Sequence, residues 1–330
     1  MKLLHSFAFG IFTSICASSV LAKEPIDIIK PALITEPEKV ELGKMLFFEP
    51  RLSKSGFISC HSCHNLSMGG VDALPTSIGH NWQEGPINSP TVLNAVYGLA
   101  QFWDGRAKDL KEQAGGPIEN PKEMSFSHTM AVSTISSIPN YKTKFKNIYP
   151  DGQVNIDNIT DAIAAFEKTL VTPHSPFDQY LLGDMSAITT DAITGYKLFK
   201  TKGCISCHNG AAVGGTLYMK MGLIKPFNTK NPAVGRIAVT GNPADKHVFK
   251  VPTLRNIELT APYFHDGATW SLEEAVNTMA DIQLGQSLSK QENKEIVAFL
   301  KSLTGELPKI VLPILPPSNA NTPRPVPFSN

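Results

Sequence analysis

The chain has 330 residues, 42% of them hydrophobic, with 30 basic and 29 acidic side chains and a formal charge of +1. That length accommodates two domains, each with its own core. The near-zero charge lacks the basic footprint of a nucleic-acid binder, so no nucleic-acid partner is expected.

Residues 1–22 open with Lys2, run apolar from Phe7 to Leu21 and end in Val20-Leu21-Ala22. The pattern is that of a cleavable signal peptide, too short for a membrane span and without a stop-transfer sequence. It predicts export, a mature start near Lys23 and no membrane anchor. Cys16 leaves with the leader, so four cysteines remain.

The stretch Glu38–Phe47 carries apolar residues at helical spacing. It precedes Cys60-His61-Ser62-Cys63-His64, and the same arrangement returns at Cys204-Ile205-Ser206-Cys207-His208 after Ala192–Phe199. Leu42-Gly43-Lys44-Met45-Leu46-Phe47 and Thr194-Gly195-Tyr196-Lys197-Leu198-Phe199 align on a glycine and a final phenylalanine, which marks an internal repeat. Between His64 and Asn88 the sequence is glycine-rich and without clear periodicity. Ile159–Leu170 reads as an amphipathic helix, and the prolines of the 171–184 stretch mark a boundary. Leu272–Met279 and Lys290–Leu303 are two further predicted helices, and residues 306–330, with seven prolines, predict an extended tail.

A Cys-x-x-Cys-His run offers two thiols to the two vinyl groups of one haem and an imidazole to its iron. A single copy could equally be a redox dithiol or half a zinc site; two copies with helices before them make a two-haem chain the better reading. The expected fold is therefore mainly α, two cytochrome c-like haem domains in tandem with long irregular loops. Residues 23–175 form the N-terminal domain, residues 176–305 the C-terminal domain and residues 306–330 the tail.

Each iron needs a sixth ligand. In the C-terminal domain the candidates are Met219, Met221 and Met279. Met219 and Met221 follow His208 too closely to wrap a haem edge easily, which favours Met279. In the N-terminal domain His80, Met68 and Met124 remain open on the residues alone.

The chain resembles the bacterial di-haem cytochrome c peroxidases. Besides the two haem motifs, the resemblance is carried by Gly79-His80, Asn88-Ser89-Pro90-Thr91-Val92-Leu93-Asn94, Phe102-Trp103-Asp104-Gly105-Arg106, Pro176-Phe177-Asp178 and Pro262-Tyr263-Phe264-His265-Asp266-Gly267. It implies that Cys60, Cys63, Cys204 and Cys207 attach two haem c groups with His64 and His208 as proximal ligands. It implies further that His80 is a displaceable distal ligand, Met279 the distal ligand of the C-terminal haem, Trp103 a bridge between haems and Glu123 the acid/base over the peroxide site. A calcium ion between the domains would be held by Asn88 and the carbonyls of Thr260 and Pro262. The implied reaction is reduction of hydrogen peroxide in the periplasm by electrons from a small cytochrome c or cupredoxin, in a homodimer. Two rivals are a non-catalytic electron carrier and a related enzyme class that oxidises a partner protein. In that class a tyrosine stands in place of the distal methionine, and Tyr218 and Tyr263 are nearby in sequence.

Overall fold

The computed structural model describes residues 24–327. The leader expected over residues 1–22, with Cys16, lies outside the described residues. The helices are α1 (Pro37–Phe47), α2 (Cys60–Cys63), α3 (Leu110–Glu119), α4 (His128–Ser137), α5 (Pro139–Ile148) and α6 (Ile156–Glu167). They continue with α7 (Pro176–Leu181), α8 (Thr190–Thr201), α9 (Ile237–Thr240), α10 (Leu272–Leu284) and α11 (Lys290–Lys301). One antiparallel ribbon joins β1 (Tyr218–Lys220) to β2 (Val248–Lys250), with Tyr218 opposite Lys250. Among the described residues no helix is long and apolar enough to cross a membrane.

The glycine shared by the two repeats has a physical reason. A Cβ on Gly43 would stand 1.8 Å from the carbonyl oxygen of Ala162 in α6, and one on Gly195 would stand 1.9 Å from that of Glu295 in α11. Each glycine lets a pair of helices cross with their backbones almost touching, one pair per haem unit. The terminal phenylalanines follow suit: Phe47 meets Phe166 edge-on at 5.4 Å, and Phe199 lies 5.1 Å from Phe299.

The caps set the boundaries. Asn155 accepts from the Asn158 amide at 2.7 Å and starts α6 one turn before the sequence expectation, so Leu170 falls past its end, although it stays buried. α11 begins at a reciprocal Ser289–Glu292 capping box. α10 runs five residues beyond Met279 and stops at Gly285, whose φ of +63° suits the left-handed C-cap.

Two apolar cores result. One gathers Leu42, Phe47, Ile135, Phe145 and Phe166; the other gathers Phe177, Tyr196, Phe199 and Phe299. The chain ends cross over between them. Ile26 belongs to the second core, whereas Ile310 and Leu315 of the tail pack on the first. Arg51 donates to Ser318 Oγ at 2.8 Å, and Val326 N–H donates to the Lys54 carbonyl at 2.8 Å, so the extended tail is stitched to the segment just before the first thiol pair.

Candidate functional site

The first thiol pair occupies α2, entered through Ser59, and His64 follows it. His64 Nδ1 lies 3.3 Å from Ser89 Oγ and 3.4 Å from the Gly70 carbonyl. In the second motif His208 Nδ1 lies 3.3 Å from the Val213 carbonyl. An imidazole whose Nδ1 is held by a carbonyl presents its Nε2 lone pair outward, the usual posture of a metal-bound histidine. Burial pushes His208 down to about 4, which keeps it neutral and able to ligate.

The four cysteines are free, and burial pushes both Cys63 and Cys204 up to about 11. A zinc site would need converging thiolates. Among the described residues no three His, Cys, Asp or Glu side chains converge on such a position. What lies beside Cys204, Cys207 and His208 is instead a large, mainly apolar cavity, with Met279 on its wall. These residues fit a flat apolar macrocycle held by two thioethers and an axial imidazole. Met219 and Met221 line the same cavity, because the β1–β2 ribbon carries the chain back across it.

The first unit places its three candidate ligands differently. Met68 is exposed, Met124 is packed into the apolar core, and His80 is buried with both ring nitrogens lacking any hydrogen-bond partner. Such an orphaned ring is costly unless something else binds it. His80 sits at the start of a short turn closed by an Ile78–Glu84 bridge, and its N–H donates to the Glu123 carbonyl at 2.7 Å. Gly79 is required for that approach: a Cβ there would stand 2.0 Å from the Lys122 carbonyl oxygen. The Glu123 carboxyl accepts from Asn120 Nδ2 at 2.6 Å; burial raises its pKa, and Arg106 with that hydrogen bond pulls the other way. His80 and Glu123, 43 positions apart in sequence, are thus brought together.

Trp103 stands at the seam between the units. Its indole N–H donates to the Asn88 carbonyl at 2.9 Å, and its ring meets Phe249 and His265 of the second unit edge-on at 6.3 and 6.2 Å. Asn88, Thr260 and Pro262 line the cavity at the same seam. Asn88 donates its side-chain N–H to the Leu74 carbonyl at 2.9 Å, and its side-chain oxygen accepts no hydrogen bond among the described residues. Sequence reading did not find Asn120, which orients Glu123, or Glu167, a buried carboxyl close to Cys60 that burial pushes up to about 8. Both are single polar residues inside helical or turn sequence, with no motif to mark them.

Two helix-pair units, each with a thiol pair and a neutral histidine, define a c-type cytochrome with two haem c groups. The comparisons narrow the class: residues 37–186 match the family model described as di-haem cytochrome c peroxidase, and residues 192–304 that of cytochrome c. The chain is 62% identical to the cytochrome c551 peroxidase of Nitrosomonas europaea, over 94% of this chain and 93% of that protein. It is 47% identical to the cytochrome c551 peroxidase of Pseudomonas aeruginosa, over 98% and 92%. A solved MauG-like protein associated with microbial copper homeostasis superposes with a TM-score of 0.74 at 26% identity, covering 84% of this chain and 94% of that one. The chain belongs to the di-haem cytochrome c peroxidase family, and it is a haem peroxidase, an oxidoreductase.

Proposed function

We propose that the chain reduces hydrogen peroxide to water at its N-terminal haem, with electrons entering singly at the C-terminal haem, and that His80 gates the reaction. The observation that carries this reading is the buried, partnerless imidazole of His80 held by its backbone against Glu123. When bound, the haems supply the one-electron redox chemistry and the iron at which peroxide is reduced.

The chain's own residues do the rest. Cys60 and Cys63, with Cys204 and Cys207, would hold the two groups covalently; His64 and His208 would each supply an imidazole to an iron, and Met279 a thioether to the second. His80, buried with both ring nitrogens unpartnered, would be the displaceable ligand of the first, released when the turn carrying it moves away. Glu123 then faces the substrate and passes a proton between the two peroxide oxygens, which its raised pKa and its Asn120 partner suit it to do. Trp103, bonded to one unit and packed on the other, is the path between them.

A calcium ion held by the Asn88 oxygen and the Thr260 and Pro262 carbonyls would lock the seam. Neither carbonyl accepts a backbone hydrogen bond among the described residues, which supports an oxygen-preferring cation there. The leader expected over residues 1–22 supports a periplasmic reaction, with a small cytochrome c or cupredoxin as the donor and a homodimer as the working form.

The test is the low-spin ferric signal of the N-terminal haem, recorded before and after one electron is added. Its loss on half-reduction is the expected result. A signal that persists unchanged in the half-reduced protein would refute the gate.

A further inference from the structure

The seam holds a cation that the reaction does not use. Lys250 ends β2, and its backbone N–H donates to the Trp103 carbonyl at 2.7 Å, so the residue is pinned to both units at once. Its side chain lines the cavity that also presents His208 and Met279. Gly98 leaves room for it: a Cβ there would lie 3.4 Å from Lys250 Nζ. No side chain or carbonyl among the described residues accepts a hydrogen bond from Nζ, and no carboxylate pairs with it. The other lysines on this cavity are accounted for, since Lys202 pairs with Glu292 at 2.7 Å and Lys220 is exposed. Burial without an anion pushes the Lys250 ammonium down to about 8.

A half-buried lysine with no partner for its ammonium, beside an apolar cavity, calls for an anion inside that cavity. We propose that Lys250 receives a propionate of the C-terminal haem, pairing with it at the domain seam and raising the reduction potential of that haem. The inference rests on the reading of this cavity as the C-terminal haem site. Its chemistry follows from the attachment. Thioethers at Cys204 and Cys207 would fix the vinyl-bearing edge of the macrocycle, and the propionates would then lie on the edge away from it. A cation at that edge favours the form of the haem that carries one more electron. Lys250 therefore helps make the C-terminal haem the first electron acceptor, and its backbone bond ties that charge to the residue placed between the haems.

The experiment uses the haem-loaded full chain and follows each haem separately in a potentiometric titration, the C-terminal one by its histidine/methionine charge-transfer band. Haem content is counted per chain in every sample. Lys250→Met is expected to lower the reduction equilibrium of the C-terminal haem about tenfold, ~59 mV for one electron, with the N-terminal haem unmoved. Lys250→Arg, which keeps the charge, is expected to stay within about threefold of the native protein. Lys250→Gln, polar and smaller, replaces the methionine variant if that one fails to fold. An unchanged C-terminal potential in the neutral variants, or a shift confined to the N-terminal haem, would overturn the proposal. A native protein with two haems but no histidine/methionine band would overturn the ligand reading beneath it, and the proposal with it.

Discussion

Gly79→Ala is the substitution that probes the gate most selectively. Gly79 has φ −113° and ψ −150°, an extended conformation open to any residue, so alanine acts through its contact alone. That contact is severe: the new Cβ would sit 2.0 Å from the Lys122 carbonyl oxygen and 2.7 Å from Glu123 Cα. Relief requires the His80 turn to separate from residues 122–123, which breaks the 2.7 Å bond from His80 N–H to the Glu123 carbonyl. Overpacking costs about 1–3 kcal/mol, and the lost hydrogen bond about 1 kcal/mol. The His80-bound arrangement thus loses roughly 2–4 kcal/mol relative to the released one, about 30-fold to several hundredfold in their ratio. The assay is peroxide binding to the fully oxidised protein, followed by the haem spectrum, with thermal unfolding as the control. Peroxide binding no stronger than that of the native protein, in a variant that folds normally, would refute the argument that this contact holds His80 in place.

Three other outcomes follow from named contacts. Gly43→Ala and Gly195→Ala should each destabilise the protein by about 1–3 kcal/mol, because each Cβ would press on a backbone carbonyl of the crossing helix; a neutral or stabilising effect on the midpoint of thermal unfolding would contradict the close crossing. Glu123→Gln should lower kcat for peroxide by about 10²–10⁴ while both haem spectra stay native, and a loss below about tenfold would remove Glu123 from the chemistry. Glu167 titrates near 4.5 when unfolded and is pushed up to about 8 by burial, so the folded chain holds a proton that the unfolded chain releases between those values. Stability contributed by that proton is complete below about 4.5 and is lost as pH rises through about 8. Glu167→Gln should therefore flatten the fall in melting temperature across that window, and parallel profiles would show that Glu167 does not cause it.

How much of this was legible in the sequence depends on distance along the chain. The thiol pairs and their histidines were readable because covalent attachment and ligation of one haem need adjacent residues. The mainly helical fold was readable because the helices before Cys60 and Cys204 repeat, although why both carry a glycine emerged only from the crossings with Ala162 and Glu295. Chain spacing favoured Met279 over Met219 and Met221, and the β1–β2 ribbon brings all three to one cavity. Asn155 as the cap of α6, Lys250 at the seam and the tail on Lys54 were not readable, since each depends on a partner elsewhere in the chain. The sequence marks the His80 loop only as glycine-rich; that Gly79 serves close packing against Lys122 depends on the fold.

The central claim is a peroxidase whose N-terminal iron opens only when the C-terminal haem holds an electron. The most direct test is steady-state turnover of hydrogen peroxide with a reduced small cytochrome c, starting from the fully oxidised and from the half-reduced protein. The account predicts a lag or very slow turnover from the oxidised form and fast turnover at once from the half-reduced form. Equal initial rates from both forms would contradict the gate.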